Sequence, residues 1–161
     1  INMIYEGTNT IQALDLLGRK VLGNNGATLK KFGKLVTALV MEEGVNEKMA
    51  EFINPLAVLG EQITKFTMEI GFKGLQNPDE VGAAAVDYLR VAGHLVFGYF
   101  WARMAQVALQ KIAEGNTDPF YVAKLQTARF YFAKLFPETA TLMLTVRTGS
   151  RCLMDTEAVF A

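Results

Sequence analysis

The chain has 161 residues, with 16 basic side chains against 16 acidic ones, and is 51% hydrophobic. This excludes a disordered polypeptide, which is poor in apolar residues and rich in charge. The neutral balance also removes the electrostatic footprint of a general nucleic-acid binder.

A single cysteine, Cys152, cannot form an internal disulfide, and the expected setting is a reducing, cytoplasmic one. The charge-free apolar stretch around His94, from Val91 to Ala102, falls well short of the ~20 residues that a bilayer crossing requires. No membrane span is expected, and no basic-apolar-small leader pattern opens the chain. The first residue is Ile1 and the opening segment is dense in chemistry, so the chain reads as a piece of a longer polypeptide.

In chain order the punctuation is helical. Thr8 or Asn9 caps a helix running to about Leu22, and Gly23-Asn24-Asn25-Gly26 supplies a turn that tolerates positive φ. A second helix begins near Ala27, with Leu29, Phe32, Leu35, Val36, Leu39 and Val40 at three-and-four spacing, and stops at Gly44. Asn46 and Glu47 open a third, whose apolar face continues through Met49, Phe52, Ile53, Leu56, Leu59, Ile63, Phe66 and Ile70. Pro55 is expected to kink it or to start a new helix capped by Asn54. The fourth starts at Asn77-Pro78-Asp79-Glu80, carries the stripe Leu89, Gly93, Val96, Phe97, Phe100, Met104, Val107 and Ala108, and ends at Gly115. Asp118-Pro119 repeats the start signal, Pro137 bends or ends the fifth helix near Leu135, and Glu138 to Thr148 is helical again. No period-2 apolar run is bounded by hairpin turns. The expected fold is all-α, an up-and-down antiparallel bundle of roughly four to six helices.

Several chemistries are excluded by residue count. A di-metal bundle site needs paired Glu-x-x-His motifs, whereas His94 is the only histidine; it reads as a half-buried structural residue, and no metal site is expected. Ser150, the only serine, lacks the second glycine of a nucleophile elbow. Cys152 has Arg151 beside it, which favours a thiolate, but reads more simply as a small apolar filler. The stretch from Phe120 to Phe136 interleaves aromatics with Lys124, Arg129 and Lys134, as a base-stacking groove would. Its helical spacing and the neutral net charge favour core aromatics with solvated cations.

The informative segment is Ile4-Tyr5-Glu6-Gly7-Thr8-Asn9-Thr10-Ile11-Gln12. A carboxylate between apolar neighbours loses hydration, which raises its pKa and strengthens it as a base. Gly7 permits close approach of a ligand, and Thr8, Asn9 and the free amides of the first helical turn form a seat for an anion. On the residues alone, the plainer reading stays open: Thr8 or Asn9 caps a helix and Glu6 is a surface residue.

This segment resembles the signature near the end of the catalytic part of flavin-dependent acyl-CoA dehydrogenases. Its continuation, Ala13-Leu14-Asp15-Leu16-Leu17-Gly18-Arg19-Lys20, is similar to a longer bacterial subgroup that includes the 3-methylmercaptopropionyl-CoA dehydrogenases. That subgroup carries an extra C-terminal helical domain, which residues from about Ala27 onward resemble, including Phe130-Tyr131-Phe132-Ala133-Lys134-Leu135 before Pro137. The resemblance implies that residues 1–22 end the catalytic helical domain and that 23–161 form the additional bundle.

It further implies that Glu6 is the base removing the α-proton of an acyl-CoA thioester, with the β-hydrogen leaving as hydride to FAD. Gly7, Thr8 and Asn9 match positions at the cofactor. Expected partners are acyl-CoA and an electron-transfer flavoprotein or similar acceptor, in a homo-oligomer. The isolated chain is expected to be inactive and not to retain FAD, because the other walls of the site are missing. Two positions depart from the pattern: Thr10 stands where many relatives have Gln or Glu, and Gly18 where they have Arg. Arg19 reads as the partner of Asp15 one turn away. A different class of reading is a non-catalytic helical module for subunit contact.

Overall fold

The computed structural model describes residues 9–154. It is an all-α helical bundle, 88% helical and with no strand among the described residues, as expected. Helix α1 (Asn9–Leu14) continues without a break into a wider π-helical stretch, Asp15–Val21, and a tight 3₁₀ turn, Leu22–Asn24. The chain reverses through Asn25 and Gly26, at φ 56° and 73°, in the left-handed turn that the Gly-Asn-Asn-Gly cluster predicts. Then follow α2 (Ala27–Glu43), α3 (Ala50–Gln76), α4 (Asp79–Ala113), α5 (Pro119–Phe130), α6 (Glu138–Arg147) and the short α7 (Arg151–Met154).

The predicted caps are in place. Asn46 Oδ1 accepts the Lys48 N–H at 3.2 Å, Asn77 Oδ1 that of Asp79 at 3.1 Å, and Asp118 Oδ1 that of Phe120 at 2.9 Å. Of the two outcomes expected at Pro55, the new helix capped by Asn54 is not found, because α3 runs through the proline. A proline inside a helix costs about 3 kcal/mol. Here Phe52, Ile53, Leu56 and Leu59, all buried, hold the segment helical around it. Pro137 acts as expected. Lacking an N–H, it cannot extend the ladder, and the turn before it widens into a π-helical stretch (Tyr131–Leu135), closed by Phe136 N–H to Tyr131 O at 2.9 Å.

The chain packs as two compact units, and α3 and α4 contribute to both. The first gathers the described residues of 1–30, then 63–92, then those beyond 140. Its core holds Leu17 and Val21 of the α1 extension, Ile63, Phe66 and Ile70 of α3, Tyr88 and Val91 of α4, and Leu142, Met143 and Val146 of α6. The Phe66 and Tyr88 rings stack with centroids 6.1 Å apart. The second unit comprises 31–62 and 93–139. Its core is Val36 and Leu39 of α2, Met49 through Leu59 on the predicted α3 face, Leu95 with alanines of α4, and Leu125, Tyr131, Phe132 and Phe136.

Three burial expectations are corrected. The stripe predicted for α4 is rotated: Ala84, Ala85, Tyr88, Val91, Leu95, Ala102 and Ala105 are buried, whereas Phe97 and Phe100 are 60% and 54% exposed. This helix is apolar nearly all round, so periodicity does not select a face. Small residues go inside because they let neighbouring chains approach closely. At Gly98, an added Cβ would lie 2.7 Å from the Phe136 ring. Second, the aromatic run from Phe120 to Phe136 divides into buried Tyr131, Phe132 and Phe136 and exposed Phe120 and Phe130. Third, Cys152 is exposed rather than a filler.

Candidate functional site

Of the four residues assigned to the site, Glu6, Gly7 and Thr8 lie outside the described residues. Asn9 opens α1 and is exposed, as are Thr10, Ile11 and Gln12, while Ala13 is the first buried position. The helix that the motif would lead into therefore begins on an open surface and sinks its second turn into the first unit. Beyond it, Asp15 holds Arg19 by a short ion pair and Lys20 at 3.1 Å. Hydrogen bonds from these two cations lower the Asp15 carboxyl from 3.8 to about 2. Arg19 is thereby committed within its own helix, as its spacing from Asp15 predicts.

A cleft of about 680 Å³ lies next to this helix in the first unit. Its walls come from Gly18 and the 22–26 turn on one side and Met68, Gly71, Phe72 and Leu75 on the other. The glycines matter sterically: a Cβ at Gly71 would sit 3.1 Å from Leu22 Cδ2. Among the described residues no histidine or carboxylate lines the cleft; its polar members include Asn25, Lys30, Thr64 and Thr67. Such a surface suits apolar contact.

Two polar clusters join residues far apart in sequence. In the second unit, both ring nitrogens of half-buried His94 are engaged, Nδ1 with the Tyr131 hydroxyl at 2.9 Å and Nε2 with Glu138 at 3.0 Å. Burial pushes the Tyr131 hydroxyl pKa far above its ordinary value. In the first unit, Glu80 accepts both the N–H and the Oγ–H of Ser150, at 2.9 and 2.6 Å, and Asn77 Nδ2 donates to the same Oγ at 3.2 Å. These hydrogen bonds hold the Glu80 carboxyl below its usual range. Periodicity gave no hint of either cluster, since their members are separated by 37 to 73 residues. Both have their polar atoms satisfied and behave as structural ties.

Comparison with known proteins assigns the family. A family model described as acetyl-CoA dehydrogenase C-terminal like matches residues 25–157. A 3-methylmercaptopropionyl-CoA dehydrogenase of Ruegeria pomeroyi is 30% identical over 143 residues, covering 84% of this chain and 23% of that protein. A butyryl-CoA dehydrogenase of Syntrophomonas wolfei is 28% identical, over 96% of this chain and 26% of its own length. A broad-specificity linear acyl-CoA dehydrogenase of Mycobacterium tuberculosis is 25% identical, over 99% and 28% respectively. The chain thus spans about a quarter of the length of the curated relatives it matches. With most of its residues inside the family match, the chain belongs to the acetyl-CoA dehydrogenase C-terminal-like family.

Proposed function

We propose that the chain is the C-terminal part of a flavin-dependent acyl-CoA dehydrogenase, in which 1–22 close the catalytic helical domain and 23–161 form an additional bundle. The observation that carries this reading is the segment Ile4-Tyr5-Glu6-Gly7-Thr8-Asn9 placed directly ahead of a helix. The dehydrogenase names of the relatives support it.

In this reading Glu6 takes the α-proton of an acyl-CoA thioester, its basicity raised by the apolar neighbours Ile4 and Tyr5. FAD, when bound, supplies the hydride acceptor. The donor chemistry at hand fits that group: Gly7 leaves room for close approach, the Thr8 hydroxyl can donate to a phosphate or ribose oxygen, and Asn9 stands exposed at the helix start. An electron-transfer flavoprotein or a similar protein would receive the electrons. Exposed Val96 and Phe97 on α4 favour subunit contact as the role of the added bundle, within a homo-oligomer.

The test is Glu6→Gln in the full-length enzyme. The variant is expected to keep its flavin and to lose about a hundredfold or more in the rate of flavin bleaching by acyl-CoA. Bleaching at the unmodified rate would remove Glu6 from this role.

A further inference from the structure

We propose that the second unit carries a binding site for a purine nucleotide in the groove between the middle of α4 and the first two turns of α5. The inference is carried by side chains 94 or more positions downstream of Glu6, and only its coenzyme A arm rests on the dehydrogenase reading. The groove, of about 250 Å³, has Phe100, Met104 and Val107 on one side and Phe120 and Tyr121 on the other, with Arg103 and Lys124 at its edge. Phe100 and Phe120 are both more than half exposed, an expensive arrangement for two phenyl rings in water.

Lys124 is the second element of the argument. Its Nζ lies 5.3 Å from the centroid of Phe120 and 6.0 Å from that of Trp101. No carboxylate among the described residues comes within ion-pairing distance of it. Arg103 is loosely held, 3.7 Å from Glu42. Two acids close by in the fold or the chain are already engaged: Glu42 of α2 accepts from Gln106 Nε2 at 2.9 Å, and Asp118, just ahead of α5, accepts the Phe120 N–H at 2.9 Å.

The combination limits the occupant. An apolar partner would cover the rings but desolvate Lys124 without pairing it, and Arg103 with only a carboxylate 3.7 Å away. A simple anion would pair Lys124 and leave the rings in water. A flat base joined through ribose to phosphate answers both demands, the base against Phe100 and Phe120 and the phosphate toward Lys124 and Arg103. Two sources share this chemistry, a free nucleoside diphosphate and the nucleotide end of coenzyme A.

The experiment is calorimetric titration of the purified chain with ADP, adenosine 3′,5′-bisphosphate, adenosine and inorganic pyrophosphate. Fluorescence of Trp101, the only tryptophan, serves as a second readout beside Lys124. Saturable ADP binding with Kd of about 1 mM or tighter is expected. Lys124→Gln should weaken ADP about tenfold and leave adenosine nearly unchanged, whereas Phe120→Ala should weaken both. A preference for ADP would identify a free nucleotide, and a preference for the bisphosphate would identify the coenzyme A end; either supports the site. Absence of saturable heat with a chain that is helical by circular dichroism would overturn the proposal. Pyrophosphate binding as tight as ADP would also overturn it, since the rings would then play no part.

Discussion

Tyr88 and Thr67 show how a buried polar pair is ordered by what each atom already does. Thr67 Oγ1 donates to Ile63 O at 2.6 Å, so in its 2.8 Å contact with Tyr88 it accepts the phenolic hydrogen. Tyr88→Phe removes that donor and leaves Thr67 bonded, at a cost of about 1 kcal/mol. Thr67→Val strands a fully buried hydroxyl and is expected to cost more, about 1–3 kcal/mol. Urea denaturation of both variants checks the order, and a cheaper Thr67→Val would reverse the assignment of donor and acceptor. Asp15 gives the pH prediction. Its folded-state carboxyl titrates at about 2 instead of 3.8, so its contribution is complete above 3.8 and fades as pH falls toward about 2. The effect is small because the pair lies at the surface. Asp15→Asn should unfold at lower urea than the parent chain at neutral pH, and the gap should narrow below about pH 4. A gap that widened in acid would contradict the ion-pair account. This pair could be read from four-residue spacing, whereas the Thr67–Tyr88 bond could not, because its partners lie on different helices.

At the scale of elements, helix starts were legible because a cap is a local event: Asn46, Asn77 and Asp118 each bond an N–H two residues on. The α3 face was legible too, since its apolar residues are separated cleanly from polar ones and every predicted position is buried. The α4 face was not, because a helix apolar on all sides carries no periodic signal and is oriented by the volumes it meets. Two glycines of α4 make the difference measurable. Around Gly93 nothing lies within 4 Å of an added Cβ, so Gly93→Ala should stabilise by about 0.5–1 kcal/mol. At Gly98 the same methyl meets Phe136 at 2.7 Å and Leu56 at 3.3 Å, and Gly98→Ala should destabilise by about 1–3 kcal/mol. Thermal unfolding of the pair tests the observed rotation of the helix, and equal effects at both positions would contradict it.

For the whole molecule, the covered share of the relatives matters most. A flavin and an acyl-CoA need walls on several sides, and this chain corresponds to about a quarter of the proteins it resembles. The motif helix is exposed at its start, Asn9 to Gln12, and among the described residues the neighbouring 680 Å³ cleft has no Glu, Asp or His in its lining. The purified chain is therefore expected to lose FAD on gel filtration, with absorbance near 450 nm returning to baseline. A chain that remained yellow would show that these residues suffice to hold the cofactor. The motif on which the proposed function rests was legible in the sequence, since a run of specific residues can be read whatever surrounds it.

The sequence by itself determined the helical class, the turns, the caps and the family signature, all of which depend on residues within a turn or two of one another. Tertiary structure alone decided which side of α4 is buried, that Pro55 stays within a helix, and that His94 meets Tyr131 and Glu138. The reason is one of range. Backbone hydrogen bonding and capping are settled locally, while burial and side-chain pairing depend on the shape and volume of partners tens of residues away.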